Sequence, residues 1–213
     1  MGTMMFRVLR VLGRRPRIDR LDPAQAPDPP SWAVEALRSC GFEVAGALRL
    51  KPILLPASYS ILLTHPTAPA DARVSWVLPA GVAPTVGLTS VFGTGMLNTG
   101  QTGRGPLPEV LHQAFPGSPP LELVARHREA EAFLASHGVE MRPLDPAGAV
   151  DRYADMWHAE VAVMRAMPSA DLDAMAAQND DGGPLRGVRL QDQPDIEAQL
   201  ARLGAGTGTG GAP

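Results

Sequence analysis

His127 is the first residue in this chain whose type and setting invite a chemical reading. It falls on the apolar stripe of a predicted helix, in phase with Leu123, Val124, Ala130 and Leu134, and it is flanked by Arg126 and Arg128. An imidazole there, facing a sheet, has the reach of a general base. With a polar partner from the sheet it would suit a small-molecule hydrolase. The competing reading is a hydrogen-bonded histidine at the helix–sheet boundary. That reading is preferred, because no nucleophile or second ligand stands at a motif spacing from it.

Asp151, Asp155 and His158 recur at i, i+4 and i+7, opposite Trp157. The spacing would present two carboxylates and an imidazole to a divalent metal. Arg152 lies among them, and an ordinary solvated helix face accounts for the same pattern, so the expectation is no metal and no cofactor. His65 and His112 fall in strand segments, on faces that the sequence leaves open. Gly93, Gly95, Gly100, Gly103 and Gly105 invite comparison with a phosphate loop, but Arg104-Gly105-Pro106 stands where Gly-Lys-Ser/Thr and a helix are needed. Asn98, Thr99, Gln101 and Arg104 remain candidates for holding a small anion, against the alternative of a hairpin with a polar tip. There is no nucleophile elbow and no His-Glu-x-x-His. The single cysteine, Cys40, excludes a paired zinc site and an internal disulfide.

The elements that must position these residues are legible from hydrophobic period. Between Val44 and Phe115 the chain alternates in short stretches. Tyr59, Ile61 and Leu63 share one face, then Val74, Trp76 and Leu78, then Val86, Leu88 and Phe92. Pro52, Pro56, Pro66, Pro69, Pro79 and Pro84 punctuate the joints, and Gly93-Thr94-Gly95 suits a hairpin. Short joints favour antiparallel neighbours. The expected fold is α+β: an antiparallel sheet of five or six strands in meander order. Two helices, Pro120 to His137 and Pro146 to Met167, pack on one of its faces, and a short helix, Trp32 to Ser39, precedes it. Trp32, Phe42, Trp76, Phe133, Tyr153 and Trp157 are the expected core aromatics.

Residues 1–30 read as a basic, Pro-rich arm and linker, 31–167 as the folded domain, and 168–213 as a short helix followed by a disordered Gly-rich tail. The arm carries Arg7, Arg10, Arg14, Arg15 and Arg17, and Met5, Val8, Leu9 and Leu12 share a helical face within it. The functional reading is contact with an anionic surface, and the plainer one is a frayed terminus. A net charge of −3 does not mark the whole chain as a polyanion binder. No window approaches the length of an apolar membrane span, and no signal-peptide core is expected. One Lys beside eighteen Arg, with 22 Gly and 22 Pro, points to a GC-rich bacterial source, and the lone cysteine suits the cytoplasm.

Four strings also resemble an uncharacterised bacterial protein family. They are Leu37…Gly41-Phe42…Gly46, Ile61-Leu62-Leu63…His65-Pro66, Phe92…Gly95…Leu97…Thr99 and Pro116-Gly117…Leu123…His127. The resemblance covers about residues 32 to 160. It departs at Gly93-Thr94, where acidic residues would be expected before the glycine. It implies one coherent domain and brings no activity, cofactor, partner or site residue. The functional expectation is a binding or accessory module without catalysis, with the hydrolase centred on His127 and a membrane-surface protein as alternatives.

Overall fold

A computed structural model describes residues 17–51, 56–78, 83–102, 105, 107–180 and 185–204. Seven strands form one sheet in sequence order: β1 (Arg17–Leu21), β2 (Glu43–Lys51), β3 (Ser58–Thr64), β4 (Ala70–Val77), β5 (Thr85–Phe92), β6 (Gly95–Gly100) and β7 (Val110–Ala114). The helices are α1 (Ser31–Ser39), α2 (Pro120–Ser136), α3 (Ala149–Ala166), α4 (Ser169–Asp180) and α5 (Ile196–Arg202). The α+β class and the sheet in the middle of the chain are as expected.

Three features differ. First, β1 lies within the presumed arm, paired antiparallel with β2 from Arg17↔Lys51 to Leu21↔Ala47. Arg49 of β2 holds Asp19 at 2.6 Å across this pair, so charge complementarity takes the place of the apolar alternation that marks the inner strands. Second, β6 and β7 run parallel, Met96↔Val110 to Gly100↔Ala114. The joint was too short for a helical crossover, but β6 has six residues. Retracing its length takes only ~20 Å, which an extended loop can cover.

Third, the two long helices lie on opposite faces of the sheet. On β4, Ala70, Ala72, Val74 and Trp76 are buried, with Ala72, Val74 and Trp76 in one cluster with Leu37 of α1 and Leu123 and Val124 of α2. The alternate residues Asp71 and Arg73 point the other way, and Arg152 of α3 meets Asp71 there at 2.7 Å. The sheet is therefore covered on both sides, and α3, expected on the same face as α2, roofs the second. The roof sits close because β2 has a bulge between Val44 and Gly46 and no side chain at Gly46. A Cβ at that glycine would stand 2.5 Å from Val150 Cγ2.

The ends of the domain also shift. Trp32 is 52 % exposed instead of lying in the core. Trp76 is buried and donates its indole N–H to the Pro27 carbonyl at 2.9 Å, which pins the presumed linker to the sheet. Residues 185–204 lie in what read as tail, yet Leu190, Ile196 and Leu200 are buried against Leu97, Leu111 and Leu134. Trp157 is half-buried and packs with Val161, Met164 and Leu172, joining α3 to α4. The basic helix expected before Pro16, Arg104, and the glycine-rich end 205–213 lie outside the described residues.

Candidate functional site

The face under α3 carries a cavity of about 420 Å³. Its floor is sheet and its roof is helix. Leu62, Val91, Met96, Leu107 and Met156 supply most of the wall, and Asp71, Arg73, Thr89, Asn98, Glu109, Arg152, Tyr153 and Asp155 supply its polar groups. Strand alternation explains the floor: Asp71 and Arg73 are two apart on β4, Gly87 and Thr89 on β5, Met96 and Asn98 on β6. Arg73 stands opposite Gly87 in the β4–β5 register, where the glycine leaves room for a long side chain.

The charged groups are arranged in pairs. Arg152 donates from Nε and Nη2 to Asp71 Oδ2 at 3.1 and 2.7 Å, and from Nη1 to the Asp145 carbonyl at 2.6 Å. Burial pushes the Asp71 carboxyl up, and Arg152 pulls it part of the way back. The Arg73 guanidinium lies 4.7 Å from the Tyr153 ring centroid, a cation–π contact that fixes it across the cavity. Glu160, one turn beyond Met156, is half-buried. Its carboxyl is also pushed up by burial, against the field of Arg73.

His127 lies on the opposite face. It is 1 % exposed and lines neither this cavity nor the shallow groove beside Glu131. Burial drives its pKa from the ordinary 6.5 to about 3, so the ring is neutral at neutral pH and its 3.6 Å approach to Glu131 is not an ion pair. With Glu131 ionised the hydrogen bonds have one consistent direction. Ser90 Oγ–H donates to Glu131 at 2.5 Å, so the ring must donate from Nε2 to Ser90 Oγ at 2.8 Å. The Nδ1 atom then accepts from Thr99 Oγ–H at 2.8 Å, and Thr99 Oγ accepts from Gln113 Nε2 at 2.7 Å. Gln113 also donates to the Arg126 carbonyl at 3.0 Å and accepts from the Leu190 N–H at 3.0 Å. The chain crosses the core and ties β5, β6, β7, α2 and the 185–204 segment together. A hydrolytic role would need this ring to meet a substrate, and protein encloses it on all sides.

This network carries a pH signature. Because the folded-state pKa of His127 is depressed, the unfolded chain takes up the proton first. The histidine's contribution is intact above 6.5 and is lost as pH falls toward about 3. Asp71, Glu131 and Glu160 have raised values and act with the opposite sign, folding becoming easier as they protonate. Comparing the chain with His127→Gln by urea unfolding isolates the first effect. Below pH 6 the stability of the wild type should fall relative to the variant by about 1.4 kcal/mol per pH unit. A difference that is flat with pH would contradict a neutral buried ring.

The remaining candidates separate. Asp151 is exposed and pairs with Arg20 of β1, Asp155 reaches the cavity, and among the described residues no cluster of three metal-ligating side chains occurs, so Asp151, Asp155 and His158 do not assemble. Of the anion candidates, Asn98 lines the cavity, Thr99 belongs to the His127 chain, and Gln101 bridges the Val86 N–H and the Ser118 carbonyl, at 2.8 and 2.7 Å. His65 accepts the Ala68 N–H at 2.9 Å and packs edge-on against Phe42, closing the β3–β4 turn. His112 is level with Asn98 across β6–β7 and accepts from the Gly105 N–H at 3.3 Å. Arg17, the described member of the basic set, is taken up by Asp19 at 2.5 Å. No helix among the described residues is long and apolar enough to cross a membrane. Sequence reasoning missed Arg73, Tyr153 and Glu160. The signal for Arg73 is a charge in mid-strand, two residues from Asp71 on the same face.

No family model matches this chain, and neither a search of curated proteins nor one of solved structures finds a similar protein.

Proposed function

We propose that this chain is a binding or accessory module that holds a small, mostly apolar molecule between the sheet and α3 without transforming it. The observation that carries the reading is the cavity of about 420 Å³. It falls within the range of small-molecule sites, about 300–1,000 Å³, and it has their character of apolar walls with a few convergent polar groups. Its charged side chains suit holding better than chemistry: Arg152 is fixed by Asp71 and Asp145, and Arg73 by the Tyr153 ring. A guanidinium stays protonated at ordinary pH, so it orients a ligand and does not transfer protons.

Met156 hangs from α3 into the cavity and is the lever for a test. A fragment library screened on the full chain should yield compounds that raise its melting temperature. Met156→Trp fills the space and should weaken those compounds by at least about tenfold, roughly the 1.4 kcal/mol lost with the displaced apolar contact. Each compound should be recovered unchanged after incubation. Equal binding to the variant would place the site elsewhere, and a chemically altered compound would replace the binding reading with an enzymatic one.

A further inference from the structure

We infer that the ligand of this cavity is a monocarboxylate with an apolar body, its carboxylate seated on Arg73 and its hydrocarbon lying along Leu62, Val91, Met96, Leu107 and Met156. The inference rests on the binding reading above and adds the ligand's charge and shape.

Two guanidinium groups line the cavity, and they are not equivalent. Arg152 has all three nitrogens engaged by Asp71 and Asp145. Arg73 is laid flat on Tyr153, and its Nε is buried with no hydrogen-bond partner among the described residues. Arg126 and Arg165 also carry buried guanidinium nitrogens without a hydrogen-bond partner, but neither lines the cavity; of the three, Arg73 is the one placed where a ligand's carboxylate would meet the rest of its fork. Nη2 of Arg73 reaches toward Gly87, 3.5 Å from where a Cβ on that residue would stand, so the planar fork lies along the floor and not out in solvent. Glu160 feels the charge of Arg73 from α3. Burial pushes its carboxyl up, and the charge of Arg73 opposes that shift.

The fork matches a planar carboxylate through two parallel N–H···O bonds. A phosphate dianion fits less well, because one guanidinium is on offer and the carboxylates Glu109 and Asp155 also line the cavity. Those acids also make a cation the natural rival. Asp155 is solvent-exposed, so its field is screened, whereas Glu109 is half-buried like Arg73 and is the acid that a cationic ligand would meet. The apolar wall requires a hydrocarbon or aryl body on the carboxylate and excludes acetate-sized anions from tight binding.

The test uses the full chain and three probes of equal length: octanoate, octan-1-ol and octylammonium, each titrated calorimetrically. Octanoate should bind one to one and at least about tenfold more tightly than the alcohol, the effect of one charge-assisted pair. Octylammonium should not bind. Arg73→Gln should cut octanoate affinity by about tenfold and leave the alcohol unchanged. The three-probe comparison on the unmodified chain needs no variant and stands if Arg73→Gln fails to fold. Equal affinity for octanoate and octanol, or a preference for octylammonium, overturns the carboxylate assignment and leaves the cavity as a binding site. Failure of all three probes, while library compounds still bind in a Met156-dependent way, overturns it as well. Failure of the probes and the library together overturns the binding reading itself.

Discussion

Replacing His127 by alanine is expected to lower the unfolding free energy by about 3–5 kcal/mol. The ring is fully enclosed and bonded at both nitrogens, to Ser90 and Thr99. Truncation leaves a cavity, and it also strands the Thr99 hydroxyl and one side of Ser90 in a place water does not reach. Each orphaned buried polar group costs about 1–3 kcal/mol. The melting temperature of a chain this size should fall by roughly 10 °C, at about 2–4 °C per kcal/mol. Urea unfolding of the variant measures it. A loss below about 1 kcal/mol would mean that the ring is not the hub of the Gln113–Thr99–His127–Ser90–Glu131 chain.

The second large effect is expected at Leu190. It is fully buried, in a segment whose composition reads as tail, and it packs with Leu97, Leu111 and Leu134. Leu190→Ala should destabilise by about 2–5 kcal/mol, as core leucine truncations do. A leucine in a segment without a fixed place would lose under about 0.5 kcal/mol. The same unfolding assay separates the two. The Gly187 N–H donates to the Ala114 carbonyl and the Gln193 side chain donates to the His112 carbonyl, both at 2.7 Å, so the segment covers the β7 edge, which would otherwise present unpaired groups.

The inner strands were readable because their apolar residues alternate over several turns of the pleat, as Val74 and Trp76 or Val86 and Leu88 do. β1 was not, because Arg17, Asp19 and Arg20 make it look like linker until Arg49 is placed across from Asp19. The two-sided cover of the sheet was hidden for a related reason. Asp71 and Arg73 signal solvent to any local rule, and the partners that make them half-buried, Arg152 and Tyr153, are far along the chain. No periodicity encodes that pairing.

The buried network was legible only in fragments. His127 stood out by its phase, and Glu131 one turn later was within view as an i, i+4 neighbour. Ser90 shares the buried phase of Leu88 and Phe92, and Thr99 that of Leu97, so both were polar residues at inward positions. That is the pattern from which a buried network can be suspected, although which histidine they meet depends on how β5 and β6 sit under α2. The cavity had no sequence signature, since it is a property of the gap between α3 and the floor.

That gap is the centre of the account, and methionine-methyl NMR of the full chain during ligand titration addresses it directly. Met96 and Met156 line the cavity, whereas Met164 is buried in the α3–α4 cluster. Octanoate, or any compound that stabilises the chain in a Met156-dependent way, is predicted to shift the Met96 and Met156 methyl resonances together and to leave Met164 in place. Shifts at Met164 without Met96, or stabilisation with neither cavity methyl moving, would contradict a ligand held between the sheet and α3.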